Sequence, residues 1–134
     1  MNILVITANY PPDHLGGYEI RVKNIIDDLS SRGHEIFVIT SKTHHTKKVY
    51  DSKQHYLILR NLHGKTLRKT VIDKMTSHYI THNLGLIIQV IKELYCDNRD
   101  LRTIDCIISR FRPDLIYLGQ ILPLTRTLLP YLAD

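Results

Sequence analysis

Apolar positions fall along this chain in two alternating patterns, short unbroken runs and longer stretches with a helical repeat. Residues 2–8 (NILVITA) form a continuous apolar run bounded by turn formers, the pattern of a central strand buried on both faces. Further on, Val22, Ile25, Ile26 and Leu29 recur at the spacing of one helical face, while Asp27, Asp28, Ser30 and Ser31 point elsewhere. Gly33 supplies the left-handed residue that commonly follows a helix end, and EIFVIT (35–40) is a second β-branched run. Strand, helix and strand within 40 residues make a compact βαβ unit, whose crossover is right-handed and whose strands are parallel.

The polar and basic stretch 41–54 reads as a connecting loop, and HYLILRNL (55–62) as a third strand. Leu67, Val71, Ile72 and Met75 share one helical face among Arg68, Lys69 and Lys74. A longer helix is predicted over about 80–96, with Leu84, Ile87, Ile88, Ile91 and Leu94 inward. Asn98 or Asp100 would cap another helix running to about Arg112, with Leu101, Ile104, Ile107, Ile108 and Phe111 inward. Pro113 stops it, DLIYLG (114–119) is a fourth strand, and the tail begins one more helix or turn. This order predicts an α/β fold: an open, mostly parallel, doubly wound Rossmann-like sheet with helices on both faces.

Composition narrows the class. A chain of 134 residues with 43% hydrophobic and 23% charged residues suits one soluble domain. The first residues lack the basic flank and length of a signal peptide, and no run reaches a membrane span, so a cytoplasmic protein is expected. Cys96 and Cys106 lack zinc-ligand spacing and read as buried reduced thiols. The net charge of +5 is uneven: residues 41–74 hold nine Lys or Arg against Asp51 and Asp73. A localised basic surface implies an anionic partner. The stretch around Lys65, Arg68, Lys69 and Lys74 fits an ordinary solvated face or contact with an anionic membrane surface. Nucleic acid is disfavoured, because no stacking motif or recognition helix accompanies the charge.

The candidate chemistry centres on NYPPDHLGGYEIRV (9–22), the connection between the first strand and the first helix. In open parallel sheets, ligands sit beyond the carboxyl ends of the strands. Gly16 and Gly17 permit close backbone approach just before a helix N-terminus, which favours an anion. A phosphate-bearing ligand and a plain glycine-rich turn both fit. The loop is not GxGxxG, and Thr40–Ser41–Lys42 ends the second strand where an acidic ribose ligand would stand. An NADP-like use of Lys42 stays open. HGKT (63–66) resembles the end of a P-loop, but Leu59 occupies the position that needs glycine. His78 and His82 share a helical spacing, yet Tyr79 stands where a zincin carries glutamate. No metal ligand set and no catalytic triad is legible.

Tyr10–Pro11–Pro12, then Gly16–Gly17–Tyr18–Glu19, then Arg32–Gly33–His34–Glu35 follow one another at a spacing that resembles the amino terminus of family-four GT-B glycosyltransferases. FRPDLIYLG (111–119) and HNLGLIIQVI (82–91) are looser matches to the same family. The resemblance implies that residues 1–134 are a truncated amino-terminal, acceptor-side Rossmann-like domain, with the carboxy-terminal donor-binding domain absent. It implies retaining transfer of a sugar from a nucleotide-sugar donor to a sugar or lipid acceptor, with no metal and no cofactor beyond that co-substrate. Gly16 and Gly17 would meet the donor diphosphate and Arg21 would touch acceptor or phosphate, while Glu19 would join that contact or orient the loop as a structural cap. Gly119–Gln120–Ile121 departs from the histidine that many members carry after this strand, so the catalytic residues stay unassigned. By this reading the chain alone is inactive, sits at the inner membrane face if at any membrane, and is prone to self-association through an unpaired strand edge. A stand-alone nucleotide- or NADP-binding module and a non-catalytic interaction domain are the alternatives.

Overall fold

The computed structural model describes residues 1–12, 16–42, 50–51, 56–63, 79–120, 130 and 132. Its elements are β1 (Asn2–Thr7), α1 (Gly17–Ser31), β2 (Glu35–Ser41), β3 (Tyr50–Asp51), β4 (Leu57–Leu62), α2 (Tyr79–Phe111) and β5 (Leu115–Leu118). The sheet order is β3-β4-β2-β1-β5. Strands β4, β2, β1 and β5 run parallel, and the two-residue β3 joins the β4 edge antiparallel. The expected α/β doubly wound sheet is therefore present.

The alternation of side chains along each strand divides the core in two. Ile3 and Val5 of β1, Ile36 and Val38 of β2 and Ile58 of β4 face Val22 and Ile26 of α1, with Leu29 partly buried against them. Leu4 and Ile6 of β1 and Ile39 of β2 face Ile104 of α2 on the opposite side. Burying each such side chain is worth about 1.5–3 kcal/mol, so both helices are held chiefly by the strip of sheet they cover.

Helix α1 ends as its sequence predicts. Gly33 has φ +83°, its amide donates to the Ser30 carbonyl (3.0 Å), and His34 donates to that of Leu29 (3.3 Å), together a Schellman motif. Ile25, expected inward, is exposed. Larger corrections concern the second half. The two helices predicted on either side of residue 98 are one continuous helix of 33 residues. Asp100 does not cap it, because its carboxylate accepts from the backbone amide and the ring of His63 (2.8 Å each). With those donors satisfying it, Asp100 has no reason to compete for the helix backbone. A helix of this length spans ~50 Å, whereas a six-residue strand spans only ~20 Å. Around residues 91–95 α2 accordingly runs past the sheet: Ile91 and Leu94, expected inward, are exposed, while the side chains of Leu84, Ile87 and Ile88 lie outside the described ones.

Smaller differences follow. Ser41 belongs to β2, and Tyr50–Asp51 is a strand where only a loop was read. The thiols are free but not buried: Cys96 is intermediate and Cys106 exposed, both on α2. The tail beyond Gln120 and the amphipathic stretch 67–75 lie outside the described residues, except for positions 130 and 132. No helix among the described residues is long and apolar enough to cross a membrane.

Candidate phosphate-binding crevice

The first helix connects β1 to β2 in one direction, whereas α2 carries the chain back across to β5. The order of the sheet therefore reverses between β1 and β5, and the carboxyl ends of these strands flank the crevice where open α/β sheets take ligands. The strands continue to bond past their ends, Gly119 donating to the Ile6 carbonyl and Ala8 to that of Gln120 (2.8 Å each). This close passage requires a glycine: a Cβ on Gly119 would lie 2.8 Å from Thr7 Oγ1 and 2.9 Å from Thr7 Cβ. Gln120 Oε1 is buried there without a hydrogen-bond partner among the described residues.

The loop that leaves β1 is anchored from a strand two places away. Buried Arg60 of β4 donates through Nη1 to the Tyr10 carbonyl (3.0 Å) and through Nη2 to that of Pro11 (2.5 Å). Its guanidinium also lies 5.8 Å from the centre of the Tyr10 ring, within cation–π range. The Tyr10 hydroxyl meets that of Tyr56 (2.6 Å), which donates to Asp27 Oδ1 of α1 (2.7 Å). Lys23 closes the chain by pairing with Asp27. Burial pushes the Tyr10 phenol up to about 12, and burial with the bonds to Tyr10 and Asp27 raises that of Tyr56 further. Desolvation works upward on Asp27, but the bonds from Lys23 and Tyr56 outweigh it and hold the carboxyl low.

At the far end of the loop stand the glycines singled out from the sequence. Gly16 is extended and caps α1, donating its amide to Glu19 Oε2 (3.2 Å). Glu19 is 2% exposed; of its two expected roles, ligand contact and structural cap, it takes the second, committed to the first turn of its own helix. Gly16 and Gly17 are exposed, neither has a positive φ, and an added Cβ at either would meet nothing within 4 Å. Chain packing and backbone conformation leave their lack of a side chain unexplained. The amides of the first helical turn have no acceptor within the helix, and the helix dipole favours an anion before them.

Arg21 is exposed one turn beyond Gly17 on the same side of α1. Tyr18 lies against β5: burial first, and then a hydrogen bond with Tyr117, raises its phenol. The start of α1 thus sits beside the seam between β1 and β5. Geometry brings Gly16, Gly17 and Glu19 together there, with Arg21 on the adjoining surface. Lys65, Arg68, Lys69 and Lys74 lie outside the described residues.

Next to the crevice, the Thr40 and Ser41 hydroxyls both donate to the Ala8 carbonyl. The end of β2 is occupied by these backbone bonds, and only exposed Lys42 projects from it. His63, which directly follows β4, was legible only as part of an incomplete P-loop. Its orientation by Asp100 joins residues 37 positions apart, and the tandem apolar faces of α2 gave no sign of it. Among the described residues, no group of three His, Cys, Asp or Glu side chains is placed to hold a metal ion. No family model, curated protein or solved structure matches this chain.

Proposed function

We propose that this chain is the acceptor-side domain of a retaining GT-B glycosyltransferase of family four, and that its crevice receives the diphosphate of a nucleotide-sugar donor. The observation that carries the reading is the pair Gly16–Gly17, exposed at the amino terminus of α1 beside the seam of β1 and β5, with open space where side chains would stand. Backbone amides reach a phosphate oxygen there more closely than any side-chain-bearing residue allows. Arg21 adds a positive charge to the same approach. Glu19 holds the first turn in shape and stays out of contact with ligand. The sequence motifs Tyr10–Pro11–Pro12, Gly16–Gly17–Tyr18–Glu19 and Arg32–Gly33–His34–Glu35 support the family reading, and the crevice is consistent with a phosphate-bearing ligand.

Transfer itself requires a donor-binding wall facing this one. The departing diphosphate would be stabilised electrostatically at the α1 terminus rather than by a protein nucleophile. The basic segment around Lys65, Arg68, Lys69 and Lys74 would bring the domain to an anionic membrane surface carrying a lipid acceptor.

Calorimetric titration with nucleotide diphosphate sugars, NADP and inorganic phosphate tests the reading. Diphosphate sugars are expected to bind, and Gly17→Ala to weaken them by roughly tenfold or more, since a methyl displaces the phosphate from the amides. The same substitution is expected to leave the fold as stable or up to ~1 kcal/mol more so, because glycine is the poorer helix former. Binding of NADP alone, with Lys42→Ala abolishing it, would replace the transferase reading by a dinucleotide one.

A further inference from the structure

At the opposite end of the sheet lies a second concavity that the crevice chemistry does not use. Between the carboxy-terminal half of α2 and the first residues of β2 and β4 runs a groove of about 730 Å³. It lies where α2 covers Leu4, Ile6 and Ile39 and does not reach across the first residues of β2 and β4. The floor is apolar, formed by Phe37, Leu57 and Phe111, and Leu57 remains 48% exposed. The rim is basic: Arg99, Arg102 and Arg110 all border the groove from α2, spaced over ~16 Å of helix. None of the three forms an ion pair with a described residue, and Glu35 is the sole described carboxylate on the wall.

An apolar floor under a basic rim of this length selects its occupant. A lipid surface is flat and would bridge the concavity without filling it. A second copy related by a twofold axis through the rim would bring arginine against arginine, a like-charge contact that disfavours association. We infer that the groove docks an acidic amphipathic helix of another protein, its apolar stripe on Phe37, Leu57 and Phe111 and its carboxylates toward Arg99, Arg102 and Arg110. This is the helix-in-groove mode of recognition. A helix lying there packs alongside α2 at the usual interaxial spacing of 8–10 Å. Continued toward the amino terminus of α2, it also covers Ile91 and Tyr95, which stand 60% and 70% exposed.

The groove carries its own reporter. Cys106 borders it and is exposed, whereas Cys96 lies outside it on the same helix, its thiol pushed up by burial and by Asp100 and Asp97. The probe is a labelled 20-residue helical peptide with leucines at i, i+3, i+4 and i+7 and glutamates flanking them; a scrambled peptide of equal composition is the control. The expected result is saturable binding by fluorescence anisotropy that slows maleimide alkylation of Cys106 and not of Cys96. The double substitution Arg99→Glu with Arg102→Glu, both on an exposed helix surface, is expected to weaken binding about tenfold or more by reversing rim complementarity. Leu57→Asp attacks the floor independently, and circular dichroism verifies that each variant is folded. Equal binding of the scrambled peptide overturns the inference, as does binding indifferent to the arginine reversals. So does protection of Cys106 by anionic vesicles, or by raised protein concentration, in the absence of any effect of the helical peptide.

Discussion

The two faces of the sheet are built from the same kind of strand yet are closed in different ways. On the α1 face, a 15-residue helix buries Val22 and Ile26 and is tied to strand and loop by the Tyr10–Tyr56–Asp27–Lys23 chain. On the α2 face, a helix more than twice as long fully buries only Ile104 among its described apolar side chains, with Leu101, Ile107, Ile108 and Phe111 partly buried beside it. It is further fixed by Asp100 against His63 and by Asn2, which donates to the Phe111 carbonyl. Helix length therefore says little about how firmly a helix is held. The short one matches the width of sheet it covers, whereas the long one overhangs at one end and leaves a groove along its flank.

The strongest way to break this contrast is Ile104→Ala. Removing a fully buried isoleucine costs about 2–5 kcal/mol, and here it removes the main anchor of α2. Amide hydrogen exchange is expected to show α2 opening well before α1. Equal protection of both helices would mean that the long helix is held by something other than the Ile104 strip.

A smaller loss is expected at the seam that both faces share. Gly119→Ala places a methyl 2.8 Å from Thr7 Oγ1 and 2.9 Å from Thr7 Cβ, and overpacking of this kind costs about 1–3 kcal/mol. Urea denaturation measures it. An unchanged midpoint would show that the ends of β1 and β5 can part, and the crevice with them.

The least costly substitution sharpens the α1 side. Tyr56→Phe deletes the hydroxyl that bridges Tyr10 and Asp27, at about 1 kcal/mol for the hydrogen bonds lost. Its diagnostic value lies in alkali. Tyr10 titrates near 12 in the folded protein, with Tyr56 raised as well, against about 10 for an unfolded tyrosine. A phenol raised on folding contributes stability that is whole below the unfolded value and is lost as pH climbs through the folded one. Denaturation midpoints of the native protein are thus expected to fall between about pH 10 and 12, and the Phe variant to fall less steeply. Parallel slopes would show that this hydroxyl chain does not govern alkaline stability.

Local pattern made much of this molecule legible. The apolar run 2–8, the helical repeat through Val22 and Ile26, and Gly33 led to strand, helix and helix end in the positions where they occur. Gly16 and Gly17 stood out by composition, and their setting at the head of α1 follows from the same periodicity. Asp100 misled for a physical reason: a residue that caps a helix in isolation serves equally well inside one when a distant donor satisfies it. Ile91 and Leu94 misled similarly, since apolar spacing marks a face and cannot say whether a sheet reaches far enough to meet it.

The sequence by itself determined the class and most of the elements, because hydrophobic period and helix-terminating residues act over a few positions. Tertiary structure alone decided what depends on strand order. It brought Arg60 to the carbonyls of Tyr10 and Pro11, His63 to Asp100, and Gly119 against Thr7. Each of these contacts joins residues dozens of positions apart, and no local repeat encodes which strands will be neighbours. The groove beneath Arg99, Arg102 and Arg110 belongs to the same class, being formed where α2 passes beside the starts of β2 and β4.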